Sequence, residues 1–324
     1  MSALRIVFMG TPELAGTSLR ALLAAPEFSI VAVVTQPDQP KGRGLKLQPS
    51  PVKEIALQHS LSVLQPARAR EETFIQQLRE LSPDLIAVAA YGQILPQSIL
   101  DLPRFGCLNV HTSLLPKFRG AAPIQRAILE GETETGVTIM KMDAGLDTGE
   151  ILAQEKTPIA PTDNSQILHD RLAQIGAALL VRTIPEYVAG KIQLQPQPTE
   201  GVSYAAKIKK QDGEIDWNQS ARAISNRVRA LMPWPGAFTH LPAQSQAPSQ
   251  LLKIWEAEPT ESAGSPGEIL QADKAGIVIG CGEGSLRVRT LQREGGRRMS
   301  AAEFLGGHPL ALGTRLQNSK SEKS

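Results

Sequence analysis

Short apolar runs alternate with helix-periodic segments over the first third of the chain, and this rhythm restricts the fold more than any other feature. Runs rich in branched aliphatic residues occur at Leu4–Met9, Ile30–Val34, Leu61–Leu64, Leu85–Ala90 and Cys107–His111. Between several of them, apolar residues recur at helical spacing, as in segments 15–23 and 74–81. Strands that alternate with helices predict an α/β domain with a Rossmann-like, doubly wound and mostly parallel sheet.

A strand pair and a long helix are predicted to complete this first domain. The strands are Val137–Met142 and Glu150–Glu155, joined by the loop Asp143–Asp147, and the helix covers about Ser165–Val188. The next segment, Ile192–Thr199, is rich in Pro and Gln and lacks periodicity, which is typical of a linker. We therefore predict a first domain over residues 1–191 and a linker over residues 192–209.

Beyond the linker the pattern changes to short β-like runs. One predicted helix, Ser220–Leu231, is followed by runs at Leu251–Glu256, Gly267–Leu270, Ile277–Ile279 and Ser285–Leu291, separated by Gly and Pro. Several short strands of this kind predict a small β-barrel, OB-like domain over residues 210–318. The polar residues 319–324 are expected to form a disordered tail.

The length and composition of the chain set broad limits on its class. A single core rarely grows beyond roughly 250–300 residues, so 324 residues with 41% hydrophobic content favour two globular domains. The two cysteines, Cys107 and Cys281, lie far apart, which argues against a disulfide framework or a zinc motif. The N-terminus lacks a signal-peptide pattern, and no apolar run approaches the roughly 20 residues that span a bilayer. We therefore expect a cytoplasmic protein without a membrane partner.

Three loops follow the carboxyl ends of predicted strands, where open α/β sheets bind their ligands. They are Gly10–Glu13, Tyr91–Pro96 and the segment after Asn109. In the first loop, Thr11 is expected to cap a helix that starts at Pro12. Pro12 also breaks the G-x-G-x-x-G pattern of dinucleotide-binding loops, which disfavours a nicotinamide-dependent oxidoreductase.

Asn109 and His111 are the first candidates for chemistry. They lie two positions apart at the end of a predicted strand, so their side chains share one face of the sheet. The pair fits either a catalytic site or a polar pair that caps the next turn, and the spacing alone does not decide between them. Further along, Asp143 and Asp147 flank Gly145, but a hard-metal site would need more oxygen ligands nearby, so we expect no metal.

Several motifs resemble those of the folate-dependent formyltransferase family. The most specific are Asn109-Val110-His111, Ser113–Pro116, Arg119-Gly120 and the loop Asp143–Gly149. The segments VTQPDQPKGRG (34–44), SPVKEIA (50–56), AYGQILP (90–96), IDWNQSA (215–221) and MPWPGAF (232–238) are similar to the branch of that family that acts on methionyl-tRNA. The resemblance extends over nearly the whole chain and is most specific between residues 107 and 152.

The resemblance implies a reaction and a set of site residues. The formyl group of 10-formyltetrahydrofolate would pass to the α-amino group of methionine esterified to initiator tRNA. Asn109 and His111 would stabilise the oxyanion, while Asp147 would orient His111 and assist proton removal. The implied tetrahydrofolate-binding residues are Tyr91, Gly92, Ile94, Leu95, Ser113, Leu114, Leu115, Pro116 and Asp143. The loops that carry these residues are also compatible with ordinary packed turns.

Basic residues in two segments are implied to contact the tRNA. The loop 37–49 carries Lys41, Arg43 and Lys46, and it resembles the loop that this branch places against the acceptor end of the tRNA. Lys207, Lys209 and Lys210 lie where the predicted linker meets the mildly basic second domain. In that domain, Arg222 and Arg229 are expected on one helix face that could contact phosphates. An ordinary solvated surface is the competing interpretation for each of them.

Three other functions remain open from the sequence. The chemistry could be retained with another acceptor, such as a sugar nucleotide, a purine precursor or water, although the basic second domain and the Arg43 loop speak against this. A nicotinamide oxidoreductase is disfavoured by the broken glycine pattern. A tRNA-binding protein without activity is disfavoured by the intact set of Asn109, His111 and Asp147. We expect the protein to act as a monomer.

Overall fold

The computed structural model describes residues 3–41, 46–242 and 249–317. These residues form two compact units. The first comprises the described residues up to Pro123 together with Glu134–Pro158 and His169–Ala205. The second comprises Ile124–Thr133, Ile159–Leu168 and the described residues from Ala206 onward.

The chain up to Ala205 contains eleven strands and six helices within its described residues. The strands are β1 (Leu4–Gly10), β2 (Phe28–Val34), β3 (Gln39–Lys41), β4 (Lys46–Gln48), β5 (Val63–Leu64), β6 (Leu85–Ala89), β7 (Cys107–His111), β8 (Arg119–Gly120), β9 (Glu134–Lys141), β10 (Ile151–Pro158) and β11 (Tyr204–Ala205). The helices are α1 (Glu13–Ala24), α2 (Pro51–Gln58), α3 (Glu72–Leu81), α4 (Gln97–Leu100), α5 (Pro123–Leu129) and α6 (Ser165–Val188).

A seven-stranded sheet forms the centre of the first unit. Its strand order is β10-β9-β7-β6-β1-β2-β5, in which the pairs from β7 to β5 are parallel and β9 and β10 are antiparallel additions. β1 and β6 are apolar on both faces and buried, as expected for the centre of a doubly wound sheet. The predicted fold class of this domain is therefore confirmed.

Helix packing explains why the carboxyl edge of the sheet is open. Val7 and Met9 of β1 pack with Phe74 and Leu78 of α3, and α1 approaches α2 so closely that a Cβ on Gly16 would lie 2.8 Å from the Ile55 side chain. These contacts bury the strands along their length and leave the loops at their ends to line a cavity. The carboxyl ends of β6 and β7 lie side by side, with Val88 paired to Asn109.

The segment predicted as a linker makes specific backbone pairs in the first unit. Gln195 pairs with Ile151, and β11 pairs in parallel with β8, so that Tyr204 aligns with Arg119 and Ala205 with Gly120. The domain boundaries given above stay predictions, but Gln195 pairs with β10 and residues 203–205 pair with the segment that follows β7. This arrangement determines how the candidate site is supported.

From Ala206 onward, the described residues of the second unit form an antiparallel sheet and two α-helices. After a short 3-10 helix at Lys210–Gly213 come α7 (Ala221–Ala230), β12 (Ala237–Leu241), β13 (Gln250–Thr260), β14 (Ile269–Asp273), β15 (Gly276–Gly280), β16 (Ser285–Arg293), β17 (Arg298–Ser300) and α8 (Ala301–Gly307). The sheet order is β12-β13-β16-β15-β14, with β17 added to β16. Near the end of the described chain, Gln317 pairs with His240 of β12 and Arg315 pairs with Glu268 beside β14, which links the two edges.

The core of the second unit is aliphatic. Ile224 and Val228 of α7 pack against inward-facing residues of the sheet such as Ile254, Leu286 and Val288. The prediction of a small β domain that follows one helix is confirmed in the form of an antiparallel sheet, and the OB-like barrel stays a prediction. In the part of the chain that the structure describes, no helix is both long and apolar enough to cross a membrane.

Candidate active site

A cavity of about 520 Å³ lies at the carboxyl edge of the first unit's sheet. Two opposing sets of residues define it. The polar wall consists of Asn109, His111 and Asp147, and the apolar wall is the loop Tyr91–Leu95; Met140, Met142 and residues 143–146 also line the space. The sequence predicted the residues of both walls, and the fold brings them together around one cavity.

His111 is fixed by a backbone carbonyl. It is 5% exposed, and its Nε2 lies 2.9 Å from the Phe118 carbonyl oxygen. Because a carbonyl oxygen can only accept, Nε2 must carry the proton of this hydrogen bond. The other ring nitrogen, Nδ1, lies 3.7 Å from Oδ1 of Asp147 and is therefore the atom available to a ligand or to that carboxylate.

Asp147 is held on both its side chain and its backbone. Its Oδ2 accepts a hydrogen bond of 2.7 Å from the Gly120 N–H. Its backbone has a φ of 53°, in the left-handed region that Asp tolerates better than most residues. The carboxylate therefore cannot swing away from His111 without breaking a short hydrogen bond and moving a constrained backbone.

The Asn109 amide is the third member of the polar wall. Strand pairing places Asn109 between Val88 of β6 and Met140 of β9, so its side chain projects from the middle strand of the cavity floor. Among the described residues, no hydrogen bond engages the Asn109 side chain, although the cavity is polar on this side. An amide that lines a cavity and forms no hydrogen bond with the described residues is suited to bind an oxygen of a ligand through its N–H.

The apolar wall is held by its backbone rather than by its side chains. The Tyr91 carbonyl accepts hydrogen bonds from Thr11 Oγ1 (3.0 Å) and Gln36 Nε2 (3.2 Å). Gly92 has a φ of 89°, which turns the loop so that Ile94 is 86% exposed at the cavity. The prediction that Thr11 caps α1 is wrong: α1 begins at Glu13 after Pro12, and the Thr11 hydroxyl is used for the wall instead.

The Tyr91 side chain lies behind this wall and not at its surface. It is buried among Met9, Val34 and Val88, and burial raises the pKa of its phenol to about 12. At neutral pH the phenol is therefore uncharged. The contribution of Tyr91 to the cavity is a backbone position, which agrees with the way the wall is held.

Residues Ser113–Pro116 do not line the cavity within the part of the chain that the structure describes. Ser113 is fully buried, and its hydroxyl donates to the Lys117 carbonyl at 2.6 Å. Leu115 packs with Met140 and Ile151. This segment lies behind His111 as a support, and its assignment to a folate site stays a prediction.

Asp143 is exposed at the mouth of the cavity. Its Oδ1 accepts from the Gly145 N–H (3.0 Å) and from Thr148 Oγ1 (2.7 Å), which stabilises the loop before Asp147. In residues 3–41, 46–242 and 249–317, no group of three or more His, Cys, Asp or Glu is arranged to hold a metal ion.

Three supporting residues were not found from the sequence. Gln197 donates to the backbone carbonyls of Asp147 and Gly149, Ser203 accepts from the Phe118 N–H, and the Thr138 hydroxyl joins Ser113 to Leu115. Two of the three lie in the segment predicted to be a linker. Thr138 is a polar residue within the apolar run of β9, and this interruption is the sequence signal that could have identified it as a supporting residue.

The predicted tRNA-contacting residues are only partly described. The backbones of Lys41 and Lys46 lie in the β3–β4 pair, and Arg43 lies outside the described residues. Lys207, Lys209 and Lys210 are exposed in the second unit. The prediction that Arg229 faces phosphates is not supported by its contacts, because it donates to the Asp163 carbonyl and burial lowers the pKa of its guanidinium.

Comparison with known proteins agrees with the fold. The formyl transferase family model matches residues 4–184, and the model of the formyl transferase C-terminal domain matches residues 207–309. The chain therefore belongs to the formyl transferase family.

The relatives include proteins that are similar over nearly the whole length. The methionyl-tRNA formyltransferase of Geobacter sulfurreducens is 48% identical over 316 residues, and that of Trichlorobacter lovleyi is 51% identical over 316 residues; in both cases 98% of each chain is covered. An N-formyltransferase from Helicobacter canadensis, solved with folinic acid and dTDP-3-aminofucose, has a TM-score of 0.64 at 20% identity, covering 89% of this chain and 99% of that one. The last comparison shows the shared fold alone.

Proposed function

We propose that this chain transfers the formyl group of 10-formyltetrahydrofolate to the α-amino group of methionine on initiator tRNA. The observation that carries the proposal is the polar wall, where the Asn109 amide forms no hydrogen bond with the described residues and lies on the same strand as His111. The near full-length similarity to methionyl-tRNA formyltransferases supports the choice of acceptor. Residues 1–191 would carry the reaction and residues 210–318 would bind tRNA, with 192–209 between them.

The reaction proceeds by direct attack of the amine. An α-amino group has an ordinary pKa of about 7.7–8.0, so a useful fraction is neutral near pH 7 without a strong base. Its nitrogen attacks the formyl carbon, a new C–N bond forms, and the formyl oxygen becomes an oxyanion. The bond from the carbon to the folate nitrogen then breaks, as the amine loses one proton and the folate nitrogen gains one.

The polar wall supplies what this reaction needs. Asn109 donates its amide N–H to the developing oxyanion, and removing one such donor typically lowers the rate about 10²–10³-fold. Since Nε2 of His111 donates to Phe118, only Nδ1 can reach the reacting atoms, either as a donor from the imidazolium or as an acceptor. Asp147 sits beside Nδ1 and stabilises the charged ring when it carries the proton.

The apolar wall suits the flat ring of the folate. A ring that carries both apolar faces and a hydrogen-bonding edge is recognised by apolar side chains together with backbone N–H and C=O groups. Gly92, Ile94 and Leu95 present this combination at the cavity. Asp143 and Ser113–Pro116 complete the proposed donor site, the first at the mouth and the second from behind.

Cationic residues of two separate segments are proposed to contact the tRNA. Lys207, Lys209 and Lys210 are exposed. These three and, separately, Lys41, Arg43 and Lys46 would contact phosphates, which makes binding sensitive to salt. Phosphate contacts position a nucleic acid without reading its sequence, so the proposal leaves base recognition to other residues. We further propose a monomer that works in the cytoplasm, where initiator tRNA is charged.

The test is a formyl-transfer assay with matched acceptors. The purified protein is given 10-formyltetrahydrofolate with methionyl-tRNA, uncharged tRNA, free methionine or buffer, and the product is identified by mass. Salt-sensitive transfer to methionyl-tRNA only, lost in Asn109→Ala, is the expected result. Formyl release to water, or transfer to free methionine at an equal rate, would contradict the proposed acceptor.

A further inference from the structure

Gln197 makes four hydrogen bonds beside the polar wall. Its Nε2 donates to the backbone carbonyls of Asp147 and Gly149, both at 2.8 Å. Its Oε1 accepts from Nε (3.0 Å) and Nη2 (2.7 Å) of Arg119. We call this set of Gln197, Arg119 and the two carbonyls the amide clamp.

The orientation of the Gln197 amide is determined by its partners. Arg119 carries only donors, so the amide oxygen must face it, and the NH₂ group must face the two carbonyls, which can only accept. All four sites of the amide are therefore used. Because all of its hydrogen-bonding positions are occupied, the Gln197 amide has one favourable orientation. It therefore restrains the two backbone carbonyls to which it donates.

The clamp holds the loop at the residues where its backbone is most constrained. Asp147 has a φ of 53°, and Gly149 lies so close to the Lys141 carbonyl that a Cβ at this position would overlap it. The carboxylate of Asp147 is already fixed from the other side by the Gly120 N–H. Gln197 therefore completes the restraint on Asp147 by holding its carbonyl.

The same segment of chain also holds the partner of His111. Ser203 Oγ accepts from the Phe118 N–H at 2.9 Å, and the Ser203 carbonyl accepts from the Arg119 N–H. The Phe118 carbonyl, in turn, accepts the proton of His111 Nε2. Residues 197–205 thus restrain both neighbours of the histidine ring, the carboxylate on one side and the carbonyl on the other.

We infer that Gln197 is a positioning residue that keeps the Asp147 carboxylate in register with His111 during formyl transfer. This inference rests on the proposed function. Gln197 acts through Asp147 rather than on the substrates, so its loss is expected to lower kcat and leave the KM values for folate and tRNA nearly unchanged. A shift of about 1 Å in a catalytic group can lower a rate about 10²-fold.

Two substitutions of Gln197 change its hydrogen bonds while keeping the size of the side chain nearly the same. Gln197→Met keeps the length of the side chain but removes all four hydrogen bonds. Gln197→Glu keeps the two bonds from Arg119 but places a carboxylate oxygen, which cannot donate, against two carbonyls. We expect kcat to fall about 10–100-fold in both variants, with each KM within about threefold of the wild-type value. Gln195→Met, an exposed glutamine two residues away, is the matched control and should keep the wild-type kcat.

A double variant tests whether Arg119 and Gln197 act as one unit. If Arg119 works through the amide, Arg119→Met combined with Gln197→Met should lower kcat by no more than about threefold beyond the larger single effect. Near-ultraviolet circular dichroism establishes whether each variant is folded. If Gln197→Met is unfolded, the folded Gln197→Glu variant gives the answer.

The outcomes separate this inference from the proposed function. A wild-type protein that does not formylate methionyl-tRNA would contradict the proposed function itself. A wild-type protein that does so, with a folded Gln197→Glu variant whose kcat is within about threefold of wild type, would overturn the positioning role alone. A rise in KM at constant kcat would also overturn it, because it would indicate a binding role.

Discussion

The two walls of the cavity differ in where their supporting hydrogen bonds end, on side chains in the polar wall and on the backbone in the apolar wall. In the polar wall, hydrogen bonds end on two of the three side chains that would react: the Phe118 carbonyl on His111 and the Gly120 N–H on Asp147. In the apolar wall, they end on the backbone, since Thr11 and Gln36 both donate to the Tyr91 carbonyl. The first arrangement fixes functional groups, whereas the second fixes a surface and leaves its side chains exposed to a ligand.

This difference predicts which kinetic parameter each wall controls. Groups whose orientation is fixed before the substrate arrives can stabilise a transition state without reorganisation, so their loss should appear in kcat. Apolar side chains that a ligand covers contribute equally to the ground state and the transition state, so their loss should appear in KM. Substitutions in the two walls therefore test whether the polar wall controls kcat and the apolar wall controls KM.

The largest effect is expected from the polar wall. Asn109→Ala removes an oxyanion donor, and kcat for formyl transfer should fall about 10²–10³-fold while KM for folate changes little. Steady-state kinetics with methionyl-tRNA as acceptor measures both. The amide makes no hydrogen bond to the described residues, so unfolding temperature should be close to that of the wild type. A variant that loses affinity for folate but keeps kcat would assign Asn109 to binding.

The next effect concerns the support of the polar wall and is a change in stability. The Thr138 hydroxyl, fully buried, donates to the Ser113 carbonyl (2.7 Å) and accepts from the Leu115 N–H (3.1 Å) and Gln154 Nε2 (2.9 Å). Thr138→Val leaves the buried Ser113 carbonyl and Leu115 N–H without that partner, so the free energy of unfolding should fall by about 1–3 kcal/mol in urea titration.

Thr135 on the same strand provides the control for Thr138. It is also buried, but its hydroxyl has no hydrogen-bond partner among the described residues. Thr135→Val should therefore change the free energy of unfolding little or raise it. Equal losses in the two variants would show that the hydroxyl of Thr138 has no special supporting role.

The sequence predicted the walls better than their supports, and the reason is physical. β7 and the long helix α6 have the predicted bounds because the residues that specify each element are contiguous in the sequence. Gln197 lies 50 residues from Asp147, and β8 and β11 are two residues each, so neither their pairing nor the clamp leaves a periodic signal. Thr11 looked like a helix cap because a hydroxyl near a helix start usually is one, but here a distant carbonyl competes for it.

A smaller effect is expected in the apolar wall. Ile94 is 86% exposed, so its truncation should leave the fold intact. Each buried CH₂ contributes about 0.8 kcal/mol, so Ile94→Ala should raise KM for 10-formyltetrahydrofolate roughly tenfold if the ligand covers about half of the lost surface. The value of kcat should stay constant, and a fall in kcat of the size seen for Asn109→Ala would remove the distinction between the walls.

Leu57 is the matched control for Ile94. It is 58% exposed near the end of α2 and does not line the cavity. Leu57→Ala should leave KM for folate and kcat at their wild-type values. If both variants raised KM equally, the effect of Ile94 would be a general consequence of losing an exposed apolar side chain.

The smallest effect is expected at Cys107, which lies on β7 with Asn109 and His111 but is not part of the polar wall. Cys107 is two residues before Asn109 and is 1% exposed, with its thiol directed to the Ile99 carbonyl. Burial, together with the nearby Asp101 carboxylate, raises the pKa of the thiol to about 12. The thiol is therefore protonated throughout the neutral range, which leaves no thiolate nucleophile for a covalent formyl intermediate. Cys107→Ala should keep kcat within about threefold of wild type.

The titration of Cys107 gives an independent check with a defined sign. A thiol with the ordinary pKa of about 8.5 becomes more reactive to iodoacetamide between pH 7 and pH 9, because its thiolate fraction rises steeply there. A thiol whose pKa is raised to about 12 stays protonated over that range, so peptide mass analysis of the folded protein should find Cys107 unmodified at both pH values. Loss of activity in Cys107→Ala together with alkylation that rises with pH would place a nucleophile on this strand and extend the polar wall beyond Asn109.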